Sequence, residues 1–143
     1  MKPKISVYIP TFNRMHYLHR ALNSLAAQTF MNFEAIIVDD GSTDGTRDYL
    51  VRLEKEDSRF RLIEKENKKR GASASRNIAI AAARSPFVTG LDDDDWFERT
   101  RLQFLLESWD PDLSCISTNW YVFKHEKYRR NSFRSRRISY DDI

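Results

Sequence analysis

Four apolar runs in this chain are each followed by a segment with helical periodicity, and this alternation restricts the fold more than any other feature. The runs are ISVYI, FEAIIV, FRLIE and PFVTGL, which begin at residues 5, 33, 60 and 86. Half-exposed antiparallel strands would alternate polar and apolar residues, whereas strands buried on both faces are almost continuously apolar. We therefore predict an α/β fold with a mostly parallel sheet flanked by helices.

The helices are predicted from the same pattern. In the first, Leu18 and Leu22 share one face, and in the second Asp44 can cap the first turn. The third covers ASASRNIAIAAA and the fourth ERTRLQFLLESW, which begin at residues 72 and 98. A last apolar run, LSCISTNWYVF from residue 113, predicts a fifth strand that buries Cys115.

Charge is unevenly distributed along the 143 residues. Residues 124–137 contain seven lysines or arginines against one glutamate, although the net charge of the whole chain is only +3. The basic character belongs to this tail, so the overall charge does not indicate a nucleic-acid-binding fold. We predict one domain over residues 1–123 and a basic C-terminal segment, an incomplete continuation, over residues 124–143.

The basic segment has two interpretations. It is either a solvated helix face or unfolded end, or a segment that approaches anionic membrane lipid, because aromatic residues lie between its arginines. No apolar run has transmembrane length, and the first ten residues hold too short an apolar stretch for a secretory signal. We expect a cytoplasmic location, either in solution or at the inner face of the membrane.

Two of the predicted strands end in consecutive aspartates. Asp39 and Asp40 close the second strand, and Gly41 then allows a sharp turn. A tight turn and a capped helix account for Gly41 and Asp44 but not for two carboxylates. A carboxylate at the carboxyl edge of a parallel sheet, where ligands bind, can accept a hydrogen bond from an N–H or a ribose hydroxyl.

The second aspartate run, Asp92 to Asp95, follows the fourth strand. Adjacent carboxylates repel one another, so positive charge is expected beside them. Mg²⁺ and Mn²⁺ prefer oxygen ligands, and on an extended segment Asp92 and Asp94 point the same way. One aspartate would be enough to cap a helix starting near Trp96. Four in a row therefore favour a metal site held by Asp94 with Asp92.

Arg76 is the basic residue most suited to this edge of the sheet. It lies in the alanine-rich third helix, just beyond Gly71. Its guanidinium suits either a diphosphate or a surface aspartate, and the sequence leaves both partners open.

Five blocks, SVYIPTFNR, LNSLAAQTF, EAIIVDDGSTDGT, ASRNIAIAAA and LDDDDWF, resemble glycosyltransferase family two in order, spacing and sequence. The resemblance covers residues 4–106. It implies a GT-A type, Rossmann-like fold and transfer of a sugar to an acceptor hydroxyl with inversion at the anomeric carbon. The implied donor is a nucleotide-diphosphate sugar, with UDP favoured, and the implied cofactor is Mn²⁺ or Mg²⁺.

The resemblance also assigns site residues. Asp40 resembles the aspartate that binds the nucleotide base, while Asp94 and Asp92 resemble the metal ligands of an Asp-x-Asp motif. Asp93 falls at the variable middle position, and Asp95 matches a further family aspartate. The expected nucleotide-binding residues are Pro10, Thr11, Asn13, Asp40, Arg76 and Asp92.

The catalytic base of an inverting transferase is not identified. Such a base must reach the acceptor hydroxyl, and after Phe123 the chain offers only Glu126, Asp141 and Asp142, in no recognisable base motif. We therefore expect the base beyond this chain, which we interpret as the truncated donor-binding part of an enzyme.

The implied acceptor is a carbohydrate or lipid-linked molecule of bacterial-type surface polysaccharide or glycolipid biosynthesis, and pairing into a homodimer is expected. Two other functions stay open. One is a nucleotide-sugar-binding module without turnover. The other is a sugar nucleotidyltransferase, which should carry a glycine-rich phosphate loop near the first strand, where PTFNR has no glycine.

Overall fold

The computed structural model describes residues 2–65, 71–113, 115–118, 120–124 and 127–131. The chain divides into two compact units after Leu102. The elements, in chain order, are β1 (Ile5–Thr11), α1 (Met15–Ala26), β2 (Phe33–Asp39), α2 (Thr46–Glu56), β3 (Phe60–Glu64), α3 (Ala72–Ala81), β4 (Phe87–Gly90), α4 (Arg101–Glu107), β5 (Trp120–Lys124) and β6 (Lys127–Asn131).

The first unit contains a four-stranded parallel sheet in the order β3-β2-β1-β4. Ile5 pairs with Phe33 on one side and with Phe87 on the other, so β1 lies in the middle. Every residue of β2 is buried, which explains why its sequence is almost continuously apolar. The predicted α/β fold with a parallel sheet is confirmed.

The core lies on both faces of this sheet. On one face, Ile36 and Val38 pack with Ala79 of α3, and the partly buried Tyr8 joins this cluster. Successive side chains of a strand point to opposite faces. The alternate positions are buried as well, and these are Val7, Ile9, Ala35 and Ile37.

β1 continues through Pro10 to Thr11, two residues beyond the predicted run. Its pairing with β4 stops where Tyr8 lies opposite Gly90, so Pro10 needs no amide donor on that side. The Tyr8 ring occupies the space that a Cβ at position 90 would fill. Glycine therefore lets β4 pass close beside Tyr8 at the edge where β4 ends.

Several predicted boundaries differ from those observed. α4 begins at Arg101, three residues after the predicted start. The fifth strand covers only Trp120–Lys124, and Cys115 is exposed and outside it, so the predicted burial of Cys115 is wrong. A short apolar run cannot fix where a strand begins, because the pairing partner decides it.

That partner lies in the basic segment. Lys127–Asn131 forms β6, which pairs antiparallel with β5. For these five residues the prediction of a helix or an unfolded end is wrong, because a neighbouring strand supplies backbone partners that the sequence pattern does not reveal. Residues 125–126 and 132–143 lie outside the described residues, and the proposed division at residue 123 stays a prediction.

Candidate functional site

The sheet reverses its strand order between β1 and β4. The chain runs outward from β1 through β2 to β3 and then returns to the other side of β1 as β4. In open α/β sheets, ligands bind at such a switch point, beyond the carboxyl ends of the strands. Here Thr11 ends β1 and Asp92 to Asp95 follow β4, so the acidic run lies at the expected position of a site.

The acidic run forms a turn, not the extended segment that we predicted. The Asp95 N–H donates to the Asp92 carbonyl with an N···O distance of 3.1 Å. The side chains of Asp92 and Asp94 are 50% and 48% exposed, whereas that of Asp93 is 9% exposed. Asp92 and Asp94 are therefore both accessible to a ligand, and Asp93 is not.

Asp93 ties the turn to the end of β1. It accepts a hydrogen bond from Thr11 Oγ1 at 2.9 Å and one from Arg14 Nη1 at 3.2 Å. The family resemblance assigned Asp93 only to a variable position, and our sequence analysis did not single out Arg14. Four consecutive aspartates do not reveal which of them is buried, so no signal in the sequence marked this role.

Three arginines supply the positive charge expected beside the aspartates. Arg76 Nη2 donates to Asp92 Oδ1 and Arg14 Nη1 to Asp94 Oδ2, both at 2.7 Å. Arg20 donates to the Asp94 carbonyl at 2.5 Å. Of the two partners left open for Arg76, the structure shows the aspartate.

The environment of Asp95 in the acidic turn disfavours its negative charge. Its pKa is raised, first by partial desolvation and then by the negative charges of Asp94 and Asp92, while Arg20 acts in the opposite direction. A positive ligand bound to this turn would relieve the repulsion between these carboxylates.

Asp39, the last residue of β2, and Asp40, which follows it, have different roles. Asp39 accepts hydrogen bonds from the backbone and hydroxyl of Ser42, which closes the tight turn considered above. The Asp40 carboxylate accepts from Lys65 Nζ and from the Gly71 N–H, each at 2.5 Å. Sequence reasoning missed Lys65, which follows β3 and reaches the end of the neighbouring strand.

Asn13 links the loop that follows β1 to the loop that follows β2. Its backbone φ of 52° is left-handed, a conformation that asparagine tolerates. Its N–H donates to Ser42 Oγ and its Oδ1 accepts from the Thr43 N–H, both at 2.7 Å. These contacts position the loops around the site, and direct nucleotide binding by Asn13 stays a prediction.

Asp44 joins the amino ends of two helices, because it accepts from the Met15 N–H of α1 and from the Thr46 N–H of α2. The pKa of Asp44 is held below its ordinary value. The main cause is the hydrogen bond from the Thr46 hydroxyl, and the second is the hydrogen bond from the Met15 N–H. An ionised Asp44 therefore stabilises the fold above the unfolded pKa of about 3.9, and this stabilisation is lost as the pH falls through the lower folded-state pKa.

We expect Asp44→Ala to lower the free energy of unfolding by about 1 kcal/mol at pH 7, as for the loss of a helix cap. Urea unfolding at several pH values measures this difference, which should shrink below about pH 4. Asp44→Asn, which retains an acceptor oxygen, should show a smaller loss. A deficit for Asp44→Ala that is the same at pH 3 and pH 7 would contradict the role assigned to the charge.

The acidic turn could hold a divalent cation with help from a ligand. Each of the two accessible carboxylates, Asp92 and Asp94, gives one oxygen to an arginine. Mg²⁺ typically binds one or two protein carboxylates and completes its shell with phosphate oxygens and water, which fits this pair. Among the residues that the structure describes, no group of three or more His, Cys, Asp or Glu side chains is arranged to hold a metal.

The chain resembles known proteins over most of its length. Residues 6–141 match the sequence model described as Glycosyl transferase family 2. The chain is 41% identical over 122 residues to the GalNAc(5)-diNAcBac-PP-undecaprenol beta-1,3-glucosyltransferase of Campylobacter jejuni, which is 85% of this chain and 40% of that protein. It is 35% identical over 127 residues to an uncharacterized glycosyltransferase of Rickettsia felis, covering 89% and 19% of the two proteins.

Two solved structures have similar folds. S. aureus TarS 1-349 in complex with UDP-GlcNAc has a TM-score of 0.67 and 34% identity, over 73% of this chain and 30% of that one. The mannosyltransferase PcManGT from Pyrobaculum calidifontis, in complex with GDP-Man and Mn²⁺, has a TM-score of 0.69 and 25% identity, over 82% and 36%. The chain spans less than half the length of each of these four proteins.

Proposed function

Since this chain belongs to glycosyl transferase family 2 and has a GT-A type fold, we propose that it binds a nucleotide-diphosphate sugar, whose sugar the protein transfers to an acceptor hydroxyl. One observation carries the proposal. The acidic turn, with its two accessible carboxylates Asp92 and Asp94 and the arginines beside them, lies at the switch point of the sheet. The nucleotide sugars bound to TarS and PcManGT support it.

We assign the diphosphate to the acidic turn. Asp94 with Asp92 would hold Mn²⁺ or Mg²⁺, and the bound cation would neutralise the diphosphate as it leaves. Arg76 and Arg14 already contact these carboxylates, so their guanidinium groups lie where a diphosphate needs donors. The Mn²⁺ bound to PcManGT supports a divalent cation.

We assign the nucleoside to the neighbouring loops. The Asp40 N–H donates to the Thr11 carbonyl at 2.9 Å, which places the ends of β1 and β2 side by side. Pro10 and Thr11 are buried at this edge, and they shape the floor of the proposed pocket while Asp40 accepts from the base. UDP is favoured, in line with the UDP-GlcNAc bound to TarS.

The acceptor molecule, the catalytic base and the cellular location are proposed only from what is typical of the family. A lipid-linked acceptor agrees with the undecaprenol in the name of the Campylobacter jejuni relative. Glu126, Asp141 and Asp142 lie outside the described residues, and the catalytic base stays unassigned. A cytoplasmic site of action, membrane contact through residues 124–143 and a homodimer also stay predictions. No helix in the described ranges has the length and hydropathy to span a bilayer.

Calorimetric titration of this chain with UDP, GDP, CDP and dTDP tests the proposed donor site. We expect at least one nucleotide to bind in the presence of Mn²⁺ and its affinity to fall at least about tenfold in EDTA, a loss of about 1.4 kcal/mol. Binding that is equally strong in EDTA would contradict the metal-dependent site. Pyrophosphate released from a nucleoside triphosphate and a sugar phosphate would indicate a nucleotidyltransferase instead.

A further inference from the structure

A buried ion pair lies at the nucleoside end of the proposed site. Lys65 Nζ and Asp40 Oδ1 are 2.5 Å apart, and the two side chains are only 7% and 11% exposed. The ammonium also contacts Ser75 Oγ at 3.5 Å, and the second Asp40 oxygen accepts from the Gly71 N–H. These contacts hold the two groups at a fixed separation, so a donor and an acceptor stand side by side.

Lys65 and Asp40 together have more hydrogen-bonding positions than a link between two strands requires. An ammonium has three donors, and in its described contacts Lys65 directs them to Asp40 and Ser75. A carboxylate is an acceptor only, on two oxygens. A ligand that reaches this pair must therefore present a donor to Asp40 and an acceptor to Lys65, or place like-polarised groups against each other in a buried site.

We propose that Lys65 is a specificity-determining residue, which together with Asp40 selects a nucleobase carrying a ring N–H beside a carbonyl. Uracil, thymine and guanine have this pattern. The N–H donates to the Asp40 carboxylate, and the adjacent carbonyl accepts from the Lys65 ammonium. The inference rests on the proposed function, since it assumes that the nucleoside lies beside Asp40.

Cytosine does not meet the same requirement. Its N3 atom is an acceptor and would face the carboxylate, while its amino group would face the ammonium. The ribose and diphosphate fix the position of the base, so cytosine would have to shift out of that position to exchange the two partners. A site built to bond one pattern rejects a base that lacks it, because its buried polar groups are then left unpaired.

UDP and CDP form a matched pair for the test, because they share the ribose and the diphosphate and differ only in the base edge. We expect this chain, titrated in Mg²⁺, to bind UDP at least about tenfold more tightly than CDP, the equivalent of one mismatched hydrogen bond. Lys65→Met should weaken UDP binding and lower the ratio of the two affinities at least about threefold, while Asp40 still disfavours cytosine N3. Lys65→Arg, which keeps a charged donor, should retain part of the preference.

Lys55→Met, an exposed substitution on α2, serves as the control and should leave the ratio of the two affinities unchanged. If Lys65→Met fails to fold because Asp40 loses its partner, the double variant Asp40→Asn/Lys65→Met removes both charges and should show affinities that are nearly equal.

An undiminished UDP preference in folded Lys65→Met would overturn the inference but not the proposed donor site. If Lys65 only links the strands, Lys65→Met would change the melting temperature without changing the ratio of the UDP and CDP affinities. Failure of the unsubstituted chain to bind either nucleotide would contradict the proposed function itself, and this inference with it.

Discussion

Asp94→Asn is expected to abolish metal-dependent nucleotide binding, so that its affinity in Mn²⁺ falls to that of the unsubstituted chain in EDTA, a loss of about tenfold or more. The substitution keeps the shape of the side chain but removes the charge that a hard cation requires. Arg14 retains its bond to Asp93, so the turn itself should persist. Calorimetric titration with UDP and Mn²⁺ measures the loss.

The matched control is Asp48→Asn, which removes the same charge from an exposed position in the first turn of α2. It should bind UDP as the unsubstituted chain does. Binding by Asp94→Asn within about threefold of the unsubstituted chain, a difference of under 1 kcal/mol, would remove Asp94 from the metal site.

Asp93→Ala is expected to have the largest effect on stability. Asp93 is the buried carboxylate of the acidic turn, and its loss leaves the buried Thr11 hydroxyl without its acceptor. An unsatisfied buried polar group costs about 1–3 kcal/mol, and removal of the Arg14 contact adds to this. We expect the free energy of unfolding to fall by about 2–3 kcal/mol and the melting temperature by about 5–10 °C.

Thermal unfolding of Asp93→Ala, Thr11→Val and the double variant measures this coupling. The double variant should cost less than the sum of the single substitutions, because contacting residues are not additive. Asp95→Ala is the control, since Asp95 is exposed in the same turn and its removal should change stability little. Equal destabilisation by Asp93→Ala and Asp95→Ala would show that the Thr11 contact contributes nothing.

Much of the first unit could be predicted, because its strands are buried on both faces. The predicted FRLIE strand coincides with Phe60–Glu64, and the FEAIIV strand with all but the last residue of Phe33–Asp39. The end of β1 was less clear, since Pro10 lies beyond the last β4 pair and only the sheet order reveals why it is tolerated. The β5–β6 hairpin was missed because its pairing is not encoded in the apolar pattern.

The positions of the site carboxylates were predicted, but most of the basic residues that contact them were not. The positions of the acidic turn and of Asp40 follow from where apolar runs end, which a sequence displays directly. Lys65, Arg14 and Arg20 reach these carboxylates from other parts of the chain. Such partners depend on strand order and side-chain reach, which a single sequence does not contain.

A bound nucleotide must replace the ion pairs that two arginines make with the acidic turn. In the structure, Arg76 and Arg14 already balance the charges of Asp92 and Asp94. A metal-bound diphosphate would bring positive charge to the carboxylates and negative charge to the guanidinium groups, so both sets of ion pairs could be exchanged without leaving a charge unpaired. The same carboxylates can therefore pair either with the arginines or with a cation.

In the proposed function, the acidic turn binds the cation and the diphosphate of the donor. The most direct test is an anomalous diffraction map from crystals of this chain grown with UDP and Mn²⁺. We expect a manganese peak about 2.1 Å from a carboxylate oxygen of Asp94, the distance at which hard cations of this size bind oxygen, with the diphosphate on the same ion. A manganese peak remote from Asp92 to Asp95, or UDP bound with its diphosphate away from this turn, would contradict it.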